Sequence, residues 1–465
     1  IGDTVNVIYT DSIVIHTVLK HETLYAISKR YMVSAESIKS LNEINKNKVK
    51  QGDKLRIKVK NVNYEIVENN LFEDALQTDT TIINNGIIKK GTYKVALFLP
   101  LMLSQNESYL NKPIRVGETR ELHPTTKIAS DFYHGFLLAA DSLAKAGLNV
   151  EVYVYDTKKD TNEILMHLKK EEFKDMDMVV GPFYPKTIEV IAKYCNQNSI
   201  PMIIPFNSGT KVLYQNPKVF KATSSNLTLM NGMVDYVVEK YSHYNISIIK
   251  PNETSDLALY EQAREKFNSS ITVKSGAMNS KIIELTLGNS NGRDISIKLR
   301  KDTVNVVIVP STNLKFISGV FTRLNNVLNL NPYAKNMKII IFGLEDWNKY
   351  EDLNLMHRMR LHQHYASYRF VDYEAEKTTK LITSFRLKYG TDPDVYGIQG
   401  FDIGYYFMSA MYLYGENFDN YIVHYQMDLV QNIFWFPRNT DLNGSENQSV
   451  RIIEYSDYKL ILKNN

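Results

Sequence analysis

The sequence predicts an α/β protein in two parts: a small βααβ unit, then a large, doubly wound body of two lobes. Three observations carry this. Residues 13–59 run strand, helix, helix, strand in a span too short for a larger fold. From Tyr93 onward, apolar strand-like runs alternate with helix-length amphipathic stretches. The chain of 465 residues exceeds what one hydrophobic core ordinarily supports, and the alternation restarts after "VFKAT", so a second lobe is expected.

The small unit opens with "IVIHTV" (Ile13 to Val18), β-branched and therefore a strand. Thr23 can cap a short helix that places Leu24, Ile27 and Tyr31 on one face. Ser34 can cap a second helix with Ile38 and Leu41 inward. The chain then turns at Gly52 into a strand that alternates Leu55, Ile57 and Val59 toward one side. So small a unit depends on tight packing of these few apolar residues. Residues 61–92 read as a polar linker, with a short strand at "NYEIV" and a local hairpin at "INNGIIKKG".

The large body begins with "KVALFLP", a nearly continuous apolar strand of the kind buried in a parallel sheet. A helix is expected from about Ala129 to Lys145, with Phe132, Phe136, Ala139, Ala140 and Leu143 inward and Gly147 after its end. "VEVYVYD", a helix near 162–170, "DMVVGP", a helix at 186–197 and "PMIIP" follow. The second lobe repeats the alternation with "NISIIK", a helix near 256–267, "VNVVIVP", a helix at 314–325 and "MKIIIFG". The stretch "GYYFMSAMYLYG" (Gly404 to Gly415) reads as a buried helix, and tyrosines left outside it would suit a protein interface.

Two resemblances follow from these segments. "HTVLKHETLYAISKRYMVS…IKSLNEIN…VKQGDKLRI" resembles a LysM domain over His16 to Val59. The resemblance implies a shallow groove for N-acetylglucosamine-containing glycans, flanked by Glu22, Thr23 and Leu24 on one side and Asn42, Glu43 and Ile44 on the other. The family's Gly-Asp at the first turn is His21-Glu22 here. "YKVALFLPL", "MVVGPFYPKT", "IPMIIPFNSG", "VFKATSSN" and "KYGTDPDVYGIQGFDIGYYFMSA" are similar, in order and spacing, to type 1 periplasmic binding proteins of the leucine/isoleucine/valine-binding branch. This implies two Rossmann-like lobes joined by three crossovers, with lobe 1 at 93–222 and 370–428 and lobe 2 at 223–369 and 429–465. The domain limits expected are therefore 1–60, a linker at 61–92, and 93–465.

Doubly wound folds bind ligands at strand C-termini. The candidates there are Pro100, Gly181, Pro182, Phe183, Tyr184, Phe206 to Gly209, and Asp402. The second resemblance implies that Asn207 and Ser208 would hold a ligand's carboxylate and Asp402 its amine, with Phe183 and Tyr184 at the mouth of the cleft. The same residue types also favour turns for local reasons.

Composition bounds the rest. With 55 basic and 51 acidic residues the net charge is only +4, which gives no case for a nucleic-acid partner. No run of about 18 apolar residues occurs, so no membrane-spanning helix is expected. The single cysteine, Cys195, excludes an internal disulfide and a cysteine-based zinc site. His362 and His364 in "LHQHY" lack a third ligand and read as a surface pair. "GNSNGRD" lacks the GxGxxG spacing and reads as a loop. The triplets at Asn226, Asn245 and Asn252 matter only in a glycosylating pathway. No Ser-His-Asp set or Gly-x-Ser-x-Gly elbow is visible, and no catalytic residue, metal or cofactor is expected. The first residue, Ile1, suggests a processed start, from which a signal peptide or lipid-bearing cysteine has been removed.

Together these imply a non-enzymatic envelope protein, periplasmic and on the outer-membrane side. The small unit would hold peptidoglycan. The large body would serve as a sensor, scaffold or docking module for an outer-membrane or cell-wall protein complex, as lobes of this fold do in an outer-membrane lipoprotein that activates a peptidoglycan synthase. The alternative is a solute receptor for an amino acid or small peptide bound in the cleft. The two separate on whether the cleft is a pre-formed polar pocket or is filled by the protein's own side chains.

Overall fold

The computed structural model describes residues 6–19, 22–31, 33–44, 49–65, 87–110, 122–275, 282–288, 292–330, 336–350, 353–438 and 440–464. The chain forms two compact units: Ile1–Glu73 with Tyr373–Thr379, and Asp74–Asp372 with Lys380–Asn465.

In the small unit, β1 (Asn6–Thr17) pairs antiparallel with β2 (Lys54–Glu65), and α1 (Leu24–Tyr31) and α2 (Ala35–Leu41) lie between them in sequence. The strands are longer than the sequence pattern suggests. β1 starts at Asn6 rather than Ile13, and Asn63 to Glu65 belong to β2 rather than to a linker strand. Cross-strand pairing extends the ladder beyond the apolar stretch that marks it in sequence, from His16↔Leu55 out to Asn6↔Glu65. Val18, Leu24, Ile27, Ala35, Ile38, Leu55 and Ile57 make the core. Ser34 caps α2, accepting a hydrogen bond from Ser37 N at 3.1 Å. Gly52 turns into β2 at a φ of +90°, a conformation that side chains with a Cβ rarely adopt. The proposed hairpin near 83–91 falls partly outside the described residues.

The second unit holds two sheets. The chain enters the first with β3 (Tyr93–Leu99), followed by α3 (Leu103–Leu110), α4 (Pro124–Lys145), β4 (Val150–Asp156), α5 (Thr161–Leu168), β5 (Met178–Val180), α6 (Pro185–Gln197), β6 (Met202–Ile204) and β7 (Val219–Lys221). It crosses to the second with α7 (Asn226–Tyr241), β8 (Asn245–Lys250), α8 (Leu257–Ser275), β9 (Ile283–Thr286), α9 (Arg293–Ser296), β10 (Val304–Ile308), α10 (Leu314–Leu330), β11 (Lys338–Leu344), α11 (Leu355–Arg360) and β12 (His364–Ser367). Then come α12 (Glu376–Tyr389), α13 (Val395–Tyr414), β13 (Ser445–Glu446), β14 (Arg451–Ser456) and β15 (Lys459–Leu462). The strand orders are β13-β7-β6-β5-β3-β4 and β15-β14-β12-β11-β10-β8-β9. Pairing is parallel except at β12–β14 and β14–β15. This is the expected doubly wound, two-lobed α/β architecture.

Two details correct the sequence reading. β13 pairs with β7 in the first sheet, so the last crossing to the second lobe falls after Glu446 and not at 429. A two-residue strand leaves no periodic signal, which is why the boundary was invisible. Helix α4 begins at Pro124 rather than Ala129, with Pro124 at its first position and the His123 ring accepting from Thr125 N.

Helix α13 crosses α4 at backbone contact. A Cβ on Gly400 would lie 2.1 Å from the Phe132 carbonyl oxygen, and one on Gly135 would lie 1.8 Å from that of Gly397. α13 is consequently enclosed on nearly every side: Tyr405, Tyr406, Phe407, Ala410 and Met411 are buried. The tyrosines expected to offer an interface here are mostly core, and Tyr406 donates to the Tyr425 carbonyl at 2.8 Å.

Candidate functional site

In the small unit, the side chains assigned to the glycan groove are largely committed to the fold. Glu22 accepts hydrogen bonds from His16 Nε2 and Leu19 N, each at 2.8 Å. The His16 ring also meets the Tyr31 hydroxyl at 3.0 Å. Thr23 Oγ1 accepts from Ala26 N, capping α1, and Leu24 is in the core. Asn42 locks the end of α2 to β2: its Nδ2 donates to the Ile38 and Arg56 carbonyls and its Oδ1 accepts from Arg56 N, all at 2.7 Å. Ile44 packs against the same core, and Glu43 is exposed at a φ of +54°. Any sugar contact on these two turns therefore falls to backbone groups and to the exposed Thr23 and Glu43. His21 lies outside the described residues.

In the second unit, the strand ends β5 and β6 bring Phe183 and Phe206 together. Their rings meet edge to face at 4.5 Å, Phe132 of α4 lies 5.4 and 5.6 Å from them, and Tyr396 lies 5.7 Å from Phe206. These geometries are favourable for aromatic pairs. Tyr184 is the N-cap residue just before α6, and the Lys159 ammonium sits 4.7 Å from its ring centroid. Asn207 is exposed and Ser208 half-buried, with the Ser208 hydroxyl oxygen buried and given no partner among the described residues.

Asp402 is not where the sequence reading put it. It is fully buried in α13 and accepts from Val430 N at 3.0 Å and from Gln431 N, Asn432 N and Asn432 Nδ2 at 2.9 Å. Burial pushes its carboxyl up to about 6, against the opposing pull of these donors. Gln399 joins the same network, donating to the Pro205 carbonyl and accepting from Gln431 and Asn432. Asp402 is thus a clamp for the 430–432 segment, not a group that faces a ligand.

The acids that follow the strands are occupied as well. Asp156, ending β4, accepts from Met102, Leu103 and Lys158 N–H groups. Asp256, 2% exposed, accepts from the Ser311 hydroxyl and from Thr312. Glu345, following β11, takes Arg369 Nε and the Ser367 hydroxyl, each at 2.9 Å. Arg369 and Glu345 went unnoticed in the sequence because they are 24 residues apart and belong to no motif.

The crossovers are tied by a buried pair. Lys221, fully buried, donates to Glu446 at 3.0 Å and to the Thr223 carbonyl at 3.1 Å, while Glu446 also accepts from Ser225 N. Burial pulls the Lys221 ammonium below its usual range, and Glu446 opposes this. Ser224 donates to the Ser449 carbonyl and Asn447 to those of Ala222 and Ile433. His364, expected at the surface with His362, is buried, its Nδ1 2.8 Å from the His362 carbonyl. Among the described residues, no group of three or more His, Cys, Asp or Glu could hold a metal, and no helix is long and apolar enough to cross a membrane.

Comparison with known proteins agrees with this geometry. Residues 16–58 match the LysM domain family. No curated protein matches the chain. Among solved structures, the fold resembles a putative branched-chain amino acid ABC transporter from Rhodospirillum rubrum, with a TM-score of 0.57, 12% identity, and coverage of 80% of this chain and 100% of that one. It also resembles a branched-chain amino acid ABC transporter periplasmic ligand-binding protein from Burkholderia xenovorans (0.51, 10% identity, 80% and 94% covered). A third is an ABC transporter substrate-binding protein from Desulfitobacterium hafniense in complex with Leu (0.50, 11% identity, 80% and 100% covered). At these identities the likeness is one of fold, the type 1 periplasmic-binding-protein fold.

Proposed function

We propose that this protein is a non-enzymatic, peptidoglycan-binding protein of the bacterial envelope whose two-lobed body works as a docking scaffold. The LysM match supports the wall-binding half of this reading. The observation that carries the scaffold half is the state of the candidate acids: Asp156, Asp256 and Glu345 after the strands, and Asp402 inside α13, are each hydrogen-bonded or ion-paired by the chain itself. A receptor for a zwitterion must offer its ammonium group an acid whose desolvation the ligand repays. Here that role is already taken, and Phe183, Phe206 and Tyr396 pack against one another where a polar pocket would be needed. The scaffold reading places the protein in the periplasm, near the outer membrane, beside a protein complex of the wall.

The competing reading, a receptor for an amino acid or small peptide, draws on the fold and on Arg369. The described residues give its Nη atoms no hydrogen bond, so they could face a carboxylate. A thermal-shift screen of the amino acids separates the two. A ligand at 100 times its dissociation constant stabilises by about 2.7 kcal/mol. The scaffold reading expects no saturable shift, and one clear shift overturns it. For the wall, the full chain is expected to sediment with purified sacculi and to be released by chitin oligosaccharide; recovery in the supernatant would refute glycan binding.

A further inference from the structure

The outer face of the LysM sheet is built differently from the rest of the molecule. Leu55 and Ile57 of β2 point into the core, so strand alternation sends Lys54, Arg56 and Lys58 to the opposite face, where all three are exposed. Their cross-strand partners on β1 are Thr17, Ile15 and Ile13. Ile13 and Ile15 are 50% and 65% exposed, and Leu19, just past the strand, is 57% exposed. Same-face positions on a strand are roughly 7 Å apart, so the cations form a regular row beside a row of aliphatic side chains. The sheet has two strands, and no third is present among the described residues.

The excess positive charge of the chain falls in the N-terminal segment that contains this sheet. Residues 1–65 contain 11 basic and 7 acidic side chains, which accounts for the entire net charge of +4; the other 400 residues balance. A sheet face that exposes isoleucines beside Lys54 and Arg56 is not needed to hold the small core, which lies on its other side.

We propose that this face docks on an anionic lipid surface, so that the LysM unit meets a membrane with its sheet as well as the wall polymer with its turns. An acidic peptide would neutralise Lys54, Arg56 and Lys58 but leave Ile13, Ile15 and Leu19 in water. A bilayer interface takes both: headgroup phosphates meet the cations, and the aliphatic side chains enter the boundary between headgroup and acyl chain. A second copy of the chain would bring like charges together, which excludes self-association through this face. The interaction is weak by itself and adds to any other attachment by raising the local concentration.

The test is flotation of the full chain with phosphatidylglycerol-containing vesicles, with pure phosphatidylcholine vesicles as the comparison. Binding is expected to the anionic vesicles alone and to fall sharply at ~0.5 M salt, where the Debye length is only a few ångströms. Each cation near such a surface is worth about a fivefold change in partitioning, so Lys54→Glu with Arg56→Glu should lower it ~25-fold or more. Ile15→Ser, which keeps every charge, should lower it by a smaller, salt-insensitive factor of about 3–5. All three side chains are exposed, so the variants should keep the parent's thermal midpoint. Equal recovery with both kinds of vesicle overturns the proposal, as does undiminished binding of the charge-reversed variant. Capture by polyglutamate without capture by vesicles assigns the face to an acidic protein instead and overturns it too.

Discussion

Removing the Asp402 carboxylate should strongly destabilise the first lobe rather than silence a ligand site. In Asp402→Ala, three backbone N–H groups (Val430, Gln431, Asn432) and the Asn432 side-chain amide lose their acceptor at once. All lie in a fully buried network, so water cannot readily replace the lost oxygen. A buried donor left unpaired costs roughly 1–3 kcal/mol. Four such losses do not add in full, because the 430–432 segment can shift toward solvent; about 4–6 kcal/mol is expected. That is between about a third and nearly all of the stability of an ordinary domain, which runs to about 5–15 kcal/mol. Asp402→Asn keeps one acceptor oxygen but turns an NH2 group toward donors, so it should cost about 2–4 kcal/mol. The assay is urea unfolding followed by tryptophan fluorescence and by far-ultraviolet circular dichroism, since two lobes need not unfold together. A loss below about 1 kcal/mol in Asp402→Ala would refute the clamp. So would a variant of full stability that had lost an amino-acid-induced thermal shift seen in the parent.

Asp131 caps α13, accepting from Gly397 N at 2.5 Å and Asp394 N at 3.1 Å, and burial, helped by the Asp394 charge, pushes its carboxyl up to about 7. A carboxyl raised above its ordinary value of 3.8 holds its proton more tightly when folded, so its stabilising contribution is complete below pH ~4 and lost as pH rises through 7. Asp131→Asn should remove that slope, matching or exceeding the parent's thermal midpoint at pH 8; a parent–variant difference independent of pH refutes it. Gly400→Ala must part α4 from α13, because its Cβ would meet the Phe132 carbonyl, and should cost about 2–4 kcal/mol in urea unfolding. Asn42→Ala should abolish sacculus binding by loosening the LysM fold, visible as early proteolysis between α2 and β2, since its side chain is fully used internally. Cys195 is buried and its thiol is pushed up by desolvation, so a thiol reagent should label it only after denaturant is added.

How far the sequence could be read depended on how local each signal was. Leu24, Ile27, Ile38, Leu55 and Ile57 revealed the small unit because short-range periodicity alone decides which face is buried. β3 was legible as a continuous apolar run and the second half of α13 as a buried helix, whereas the start of α13 at Val395 was not. The ladder outside the LysM core was not: the cross-strand pairing from Asn6↔Glu65 to Ser12↔Val59 joins positions more than 40 residues apart. The strand-end acids show the limit most clearly. The position of Asp156 or Glu345 at a strand end is a local property, whereas Asp402, read there from sequence, lies inside α13. Their availability is not local. Asp402 is saturated by residues 28 to 30 positions away, Asp256 by Ser311 55 positions away, and Glu446 by Lys221 225 positions away. A carboxylate at the mouth of a doubly wound lobe and a carboxylate already closed by the lobe's own loop have the same sequence neighbourhood. The difference is one of solvation, set by which distant donors the topology delivers. That is why the fold of this chain could be read from the order of its segments, while its likeness to amino-acid receptors has to be judged acid by acid.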